Sequence, residues 1–291
     1  VAVLSRGYKR HSRGYFLANE DSQARAIGDE PFQIKNKFPD IRVAVDENRC
    51  HGIEQLLQLK DPGVDVILLD DAFQHRYVKA GINILLTDYN RLFCEDKLLP
   101  AGRLRESRKG KNRAQIVIVT KCPADIKPID FKIISKQLDL FPFQKLYFST
   151  FQYGKLTPVF KNLEQTERAL SSIQADEQIL LLTGIASPLT LVNELHNYTS
   201  HVDYLAFDDH HDFSAKDMEL LHERFNQIKA EKKIIVTTEK DAARLLHHPA
   251  LKNELKSYLY ALPIEVKILQ NQEKKFNQNI IGYVRENKKN S

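Results

Sequence analysis

Apolar runs of strand length recur along the first half of the chain, at residues 1–4, 41–45, 64–69, 82–87, 116–120 and 145–151. Their Val, Ile and Leu stand on consecutive positions instead of alternating with polar residues, which suits strands buried on both faces of a parallel sheet. Segments with helical spacing lie between some of them, at 52–59 and 133–140. A connecting region of mixed polarity follows at 154–177, with a helix expected at 163–171. Alternation then resumes. Strands are expected at 178–183, 202–207 and 233–237, and helices at 188–197, 214–231 and 240–246. A last strand falls within 258–269 and is interrupted by Pro263. Ser214 is the expected N-cap of its helix. The pattern is α/β. It divides into a first lobe at 1–153, a linker at 154–177 and a second, smaller α/β lobe at 178–291, with a cleft between the lobes.

Composition narrows the class of molecule. The 291 residues are 42% hydrophobic and 28% charged, as in a globular protein. No apolar run approaches the roughly 18–20 residues of a spanning helix. Cys50, Cys94 and Cys122 have no CxxC spacing. They fit a reducing cytosol and argue against a disulfide framework or a zinc site. The net charge of +5 is unevenly spread: Lys97, Arg103, Arg105, Arg108, Lys109, Lys111 and Arg113 face a single acid, Glu106, within 97–113. Such a run is either a solvated loop or a landing site for phosphate groups or an anionic membrane surface. It lacks the interleaved aromatics on which single strands stack, so no nucleic acid partner is expected. The tail at 274–291 is basic and polar and is expected to fray. The chain opens on Val1 inside a strand-like run, which reads as a truncated N-terminus.

Several segments carry candidate chemistry. The strand at 64–69 runs into Asp70 and Asp71, then Ala72, Phe73, Gln74 and His75. Ligands of open α/β sheets bind beyond the carboxyl ends of strands, and carboxylates there are placed to hold Mg²⁺, as in a Walker B arrangement. The same pair also suits a helix cap or a turn. Gly28-Asp29-Glu30-Pro31 reads as a rigid turn, since Pro restricts the residue before it. It is either an ordinary surface turn or the seat of a general base. In the segment 99–106, Pro100 and Gly102 shape a loop whose Arg103 and Arg105 suit bidentate contact with phosphate. Glu106 is expected to pair with one of the surrounding cations or with a metal. Asp208, Asp209, His210, His211 and Asp212 follow a strand, and suit either a His oriented by a carboxylate or a solvated loop. Thr238-Glu239-Lys240-Asp241 is first a capping signature, and also a candidate for ligand contact. Thr120 and Lys121 end the strand at 116–120, much as the loops that hold the base in P-loop proteins do.

Taken in order, these segments resemble the tetraacyldisaccharide 4'-kinases. The likeness rests on Ser5-Arg6-Gly7-Tyr8, Gly28-Asp29-Glu30-Pro31, Asp70 to His75, Leu99 to Glu106, Val119-Thr120-Lys121, Thr183-Gly184-Ile185-Ala186, Asp209-His210 and Thr238 to Asp241, across roughly residues 1–245. The resemblance implies a P-loop fold of two α/β domains. It implies transfer of the γ-phosphate of ATP, with Mg²⁺, to the 4'-hydroxyl of tetraacyldisaccharide 1-phosphate. It also implies a place at the cytoplasmic face of the bacterial inner membrane. By the same resemblance, Asp29 and His210 are the acid–base pair and Asp209 orients His210. Asp70 and Asp71 hold Mg²⁺, Glu106 supports the metal, and Gln74 belongs to the same surroundings. Arg105 and Arg49 hold anionic substrate groups, with His75 and Arg103 beside them, and Thr120 and Lys121 bind the nucleotide.

Two departures qualify the likeness. No GxxxxGK[ST] loop occurs in the 291 residues. Backbone N–H groups and a Lys of such a loop grip the β- and γ-phosphates, so the chain as given is expected to bind ATP poorly and to be inactive. A catalytically dead P-loop-like binding module is the alternative reading. Ala72 also stands where the family usually has Gly. If that position needs φ > 0, Ala costs on the order of 1 kcal/mol.

Overall fold

The structure is a computed structural model that describes residues 1–160, 163–185, 187–209 and 211–288, without the side chain of Lys288. Three sheets organise it. The first has the order β2 (Phe16–Leu17), β3 (Arg42–Val45), β1 (Ala2–Ser5), β4 (Ile67–Leu69). Strand β1 lies parallel to both β3 and β4. The second sheet has the order β13 (Ile264–Ile268), β7 (Lys145–Tyr153), β6 (Ile116–Thr120), β5 (Ile84–Asp88), with β5, β6 and β7 parallel. The third runs β10 (Val202–Ala206), β9 (Gln178–Thr183), β11 (Lys233–Thr238), β12 (Leu259–Leu262), β8 (Thr157–Pro158), parallel except for β8.

Consecutive apolar residues in these strands feed two cores, one on each face. In β9, Leu180 and Leu182 join Met218, Leu221 and Phe225 of α6 (Ala215–Gln227). Ile179 and Leu181 join Leu191, Val192 and Leu195 of α5 (Pro188–Leu195) on the other face. The first lobe is built the same way. Val3 packs with Ile27 of α1 (Ala24–Ile27) and Phe32 of α2 (Asp29–Lys37), while Ala2 and Leu4 pack with Leu56 of α3 (Arg49–Leu57). In the second sheet, α4 (Pro128–Leu138) brings Ile134 and Leu138 against Val117 and Val119. Two short helices, α7 (Glu239–Leu245) and α8 (Asn253–Lys256), follow β11.

Four local expectations are corrected. Residues 28–31 are not a free turn: Gly28 caps α2, and Asp29 and Glu30 fill its first turn. Acids there meet the positive end of the helix dipole, and Pro31 sits where a missing N–H costs little. No α-helix forms at 163–171. The region is irregular, with a 3₁₀ turn at Leu170–Ser172, and Arg168 is held by the buried Glu177 at 2.7 Å. The apolar run 258–269 is two strands in two different sheets, β12 and β13, parted at Pro263. The tail is not frayed through residue 288. It forms α9 (Glu273–Lys288), whose Phe276 and Ile280 pack on the β6–β7 face. Strand β13 pairs antiparallel with β7, so the end of the expected second lobe lies on the first lobe's sheet.

Strands β4 and β5 each form the open edge of a sheet, and each exposes a central leucine, Leu68 at 51% and Leu86 at 61%. Among the described residues no helix is long and apolar enough to cross a membrane.

Candidate active site

The candidate residues gather where parallel strands end. Ser5 closes β1, and its hydroxyl donates to Asp70 Oδ2 at 2.9 Å, just beyond β4. The same hydroxyl accepts from Gly7 N at 3.3 Å. The loop after β1 then reaches the start of α2. Gly28 takes φ 94°, and a Cβ on it would lie 3.1 Å from the Tyr8 carbonyl oxygen and 3.3 Å from Gly7. Glycine is needed there on both counts. This close approach sets Asp29, the next residue, beside the segment that carries Ser5.

Asp71 takes a left-handed φ of 43°, whereas Ala72 does not. The expected strain at Ala72 is therefore absent, and its left-handed neighbour is an Asp, a residue that tolerates this region better than most. Asp71 accepts a two-pronged contact from Arg105, with Nη1 at 2.9 Å. That contact raises the Arg105 pKa. Glu106 lies inward of it and binds Arg113 at 2.7 Å and Arg76 at 2.9 Å, with Gln74 Nε2 at 3.5 Å. Burial opposes its ionisation, but hydrogen bonds from Arg113 and Arg76 prevail and hold its pKa below the ordinary value. Two polar atoms in this region, Gln74 Oε1 and His75 Nε2, are buried without a hydrogen-bond partner. Arg49 is 4% exposed and donates to the carbonyl of Asp46 at 3.0 Å. Burial and the charge of Arg6 lower its pKa, against the pull of Asp70, Asp71 and Asp46. A groove of about 160 Å³ runs past Gln74, Leu86, Arg103, Arg105 and Glu106.

Asp29 lies at the border of the two lobes. Arg244 of α7 holds it through both carboxylate oxygens, with Nε at 3.3 Å from Oδ1. Asp209 pairs with Lys240 at 3.0 Å. His210 lies outside the described residues, so its expected partnership with Asp29 and Asp209 does too. Lys121 turns to Asp88 at 2.9 Å, and the Thr120 hydroxyl donates to the Thr87 carbonyl at 3.3 Å, both at the ends of β5 and β6. Arg103 is engaged through its backbone N–H, which donates to Asp96.

Asp70, Asp71, Gln74, Arg105 and Glu106 are thus brought onto one surface, and Ser5 and Gly7 connect it to Asp29. Ser5 belongs to a segment that carries the resemblance but has no role in the sequence reading, and Arg244 is not named in it. Ser5 was visible as a polar residue ending an apolar strand, and Arg244 as the residue one helical turn beyond Asp241. A larger hollow of about 390 Å³ lies at the far edge, between β10 and α6, and none of the candidate residues lines it.

Residues 1–285 match the family model described as tetraacyldisaccharide-1-P 4'-kinase. The chain belongs to this family. Tetraacyldisaccharide 4'-kinases similar to it include that of Bacteroides thetaiotaomicron, 65% identical over 297 residues, with 100% of this chain and 78% of the relative covered. That of Bacteroides fragilis is 66% identical over 291 residues, covering 100% and 77%. The family member from Porphyromonas gingivalis is 43% identical over 294 residues, covering 99% and 80%. Among solved structures, the family's LpxK from Aquifex aeolicus, an "apo" form in complex with ATP, superposes with a TM-score of 0.69 at 24% identity, over 97% of this chain and 78% of that one. This likeness shows a shared fold.

Among the described residues no three His, Cys, Asp or Glu side chains converge to hold a metal unaided. Mg²⁺ needs no such group, since it takes one or two carboxylates and completes its shell with substrate phosphates and water. Asp70 and Asp71 are the carboxylates that could take that part; they stand beyond β4, Asp70 bonded by the Ser5 hydroxyl and Asp71 by Arg105.

Proposed function

We propose that this chain belongs to an enzyme that transfers the γ-phosphate of ATP to the 4'-hydroxyl of tetraacyldisaccharide 1-phosphate, in lipid A synthesis. The reading is carried by the family match over residues 1–285. The placement of two carboxylates and an Arg at the end of β4 is the geometry such chemistry uses.

Phosphoryl transfer asks little covalent work of a protein; it asks for an oriented acceptor and compensation of developing charge. Asp29 takes the proton of the acceptor hydroxyl, with His210 and Asp209 beside it. Asp70 and Asp71 hold Mg²⁺, which supplies neutralisation of phosphate charge when bound. In the resting arrangement Glu106 is committed to Arg113 and Arg76, so its part in supporting the metal runs through the orientation of this loop. Arg105 and Arg49 hold anionic groups, with Gln74 and Arg103 along the groove and His75 next in the chain to Gln74, while Thr120 and Lys121 serve the nucleotide at the ends of β5 and β6. The basic run at 97–113 faces an anionic membrane surface at the cytoplasmic side of the inner membrane.

The test is mass gain on tetraacyldisaccharide 1-phosphate in detergent micelles, with ATP and Mg²⁺ and the full-length protein. A gain of one phosphate is expected. Asp29→Ala should cut kcat by about 10²–10⁴-fold with little change in the KM for ATP. Absence of any gain from folded full-length protein overturns the reading, and a gain that survives Asp29→Ala removes the base alone.

A further inference from the structure

The segment Thr238 to Arg244 has no part in the proposed chemistry, yet it is tied to Asp29 from across the lobe border. Asp241 is fully buried. Its Oδ2 accepts from the Thr238 hydroxyl at 2.7 Å, from Gly184 N at 3.0 Å and from the Thr183 hydroxyl at 3.4 Å. Its Oδ1 has no hydrogen-bond partner and faces Arg244 Nη1 at 3.7 Å. A buried carboxylate left with one unbonded oxygen is costly unless a cation stands by it. Arg244 is that cation, one helical turn along α7. Its Nη1 donates to the carbonyl of His211 at 2.7 Å, and its Nε and Nη2 grip Asp29. The Arg244 side chain is 11% exposed and that of Asp29 19%. The guanidinium is thus held through Nη1 by the His211 carbonyl and the Asp241 carboxylate of the second lobe, while its other nitrogens meet the first lobe.

We propose that Arg244 is a positioning residue for Asp29: fastened by Asp241 and the His211 carbonyl, it crosses from the second lobe to aim the Asp29 carboxylate. The proposal rests on the reading of Asp29 as the base. The planar two-pronged contact fixes the plane of the carboxylate, which a single bond does not. A second file of contacts lies along the same helix pair, where Glu239 accepts from Lys37 at 3.1 Å and from Gln33 at 3.3 Å. These contacts support the docking of α2 on α7 without touching Asp29.

The experiment is a double-mutant cycle in single-turnover rate and in steady-state kcat, on the full-length protein. Arg244→Gln is expected to lower kcat roughly 10- to 100-fold, the scale of an ångström's misplacement, with the KM for ATP changed less than about twofold. Arg244→Lys should recover part of the loss, because it restores charge but not the fork. In an Asp29→Asn background, Arg244→Gln should cost nothing further. Lys37→Ala serves as the control for lobe docking and should leave kcat near the parent value. Equal losses from Arg244→Gln in both backgrounds, or equal losses from Arg244→Gln and Lys37→Ala, would show a structural role and overturn the proposal. An Asp29→Asn protein with unimpaired kcat would instead remove the base. An inactive Asp29→Asn beside a fully active Arg244→Gln would remove the positioning role alone.

Discussion

Glu106 shows how a single residue's surroundings set a measurable sign. Its side chain is 16% exposed and is gripped by two guanidinium groups. Its folded pKa lies below the ordinary value because those bonds outweigh the cost of burial. A carboxyl with a depressed folded pKa contributes stability above its unfolded pKa, and that contribution is lost as pH falls through the folded value. Asp217, beside His211 and Ser214, is shifted in the same direction. Thermal melts should therefore show a falling midpoint as pH drops below about 4.5, and Glu106→Gln should flatten that decline. A Glu106→Gln protein with the parent's acid sensitivity would contradict the pairing. Nearby, Arg105→Ala in the full-length enzyme should lower kcat/KM by about 10- to 100-fold, the scale of a lost charged hydrogen bond. An unchanged kcat/KM would take Arg105 out of the site. At this scale, sequence reasoning reached what is local. Asp70 and Asp71 were legible because an apolar strand stops at them, and Glu106 because it is the one acid in a basic run. The Arg244–Asp29 contact was not legible, since it joins residues 215 positions apart and no spacing rule spans that distance.

At the scale of elements, periodicity performed best where burial was complete. Strands β6 and β9 begin and end as expected because both faces are apolar and no polar residue blurs their limits. Ser214 caps α6 in a reciprocal arrangement with Asp217, accepting from its N–H at 3.3 Å while Asp217 accepts from Ser214 N at 2.7 Å. Ser214→Ala should cost about 1 kcal/mol, read as a shift in the midpoint of urea unfolding. No shift would mean that Asp217 caps the helix unaided. Helix α2 escaped detection because Pro31 reads as a helix breaker, although in the first turn it breaks nothing. Helix α9 escaped because its apolar residues, Phe276 and Ile280, are sparse among amides and lysines. It gains its place from the sheet it covers.

At the scale of the molecule, the division into lobes followed from a gap in the alternation at 154–177. The return of β13 and α9 to the first lobe's sheet could not follow from it, because one apolar run at 258–269 gives no sign of which sheet each half joins. That return passes the chain across the lobe border more than once, beside the ion pairs between α2 and α7.

The open edges of β4 and β5 carry a further consequence for how the 291 residues behave in a tube. Among the described residues neither edge strand has a partner on its outer side, and each carries an exposed leucine with no lysine or proline within the strand to blunt it. Such edges recruit strands from other molecules. The chain should therefore self-associate as its concentration rises, templated by its own backbone. Leu86→Lys should suppress this, shifting the mass measured by light scattering toward the monomer's 33.6 kDa. A monomer at all concentrations before the substitution would mean that the edges are guarded by the basic loop that borders them.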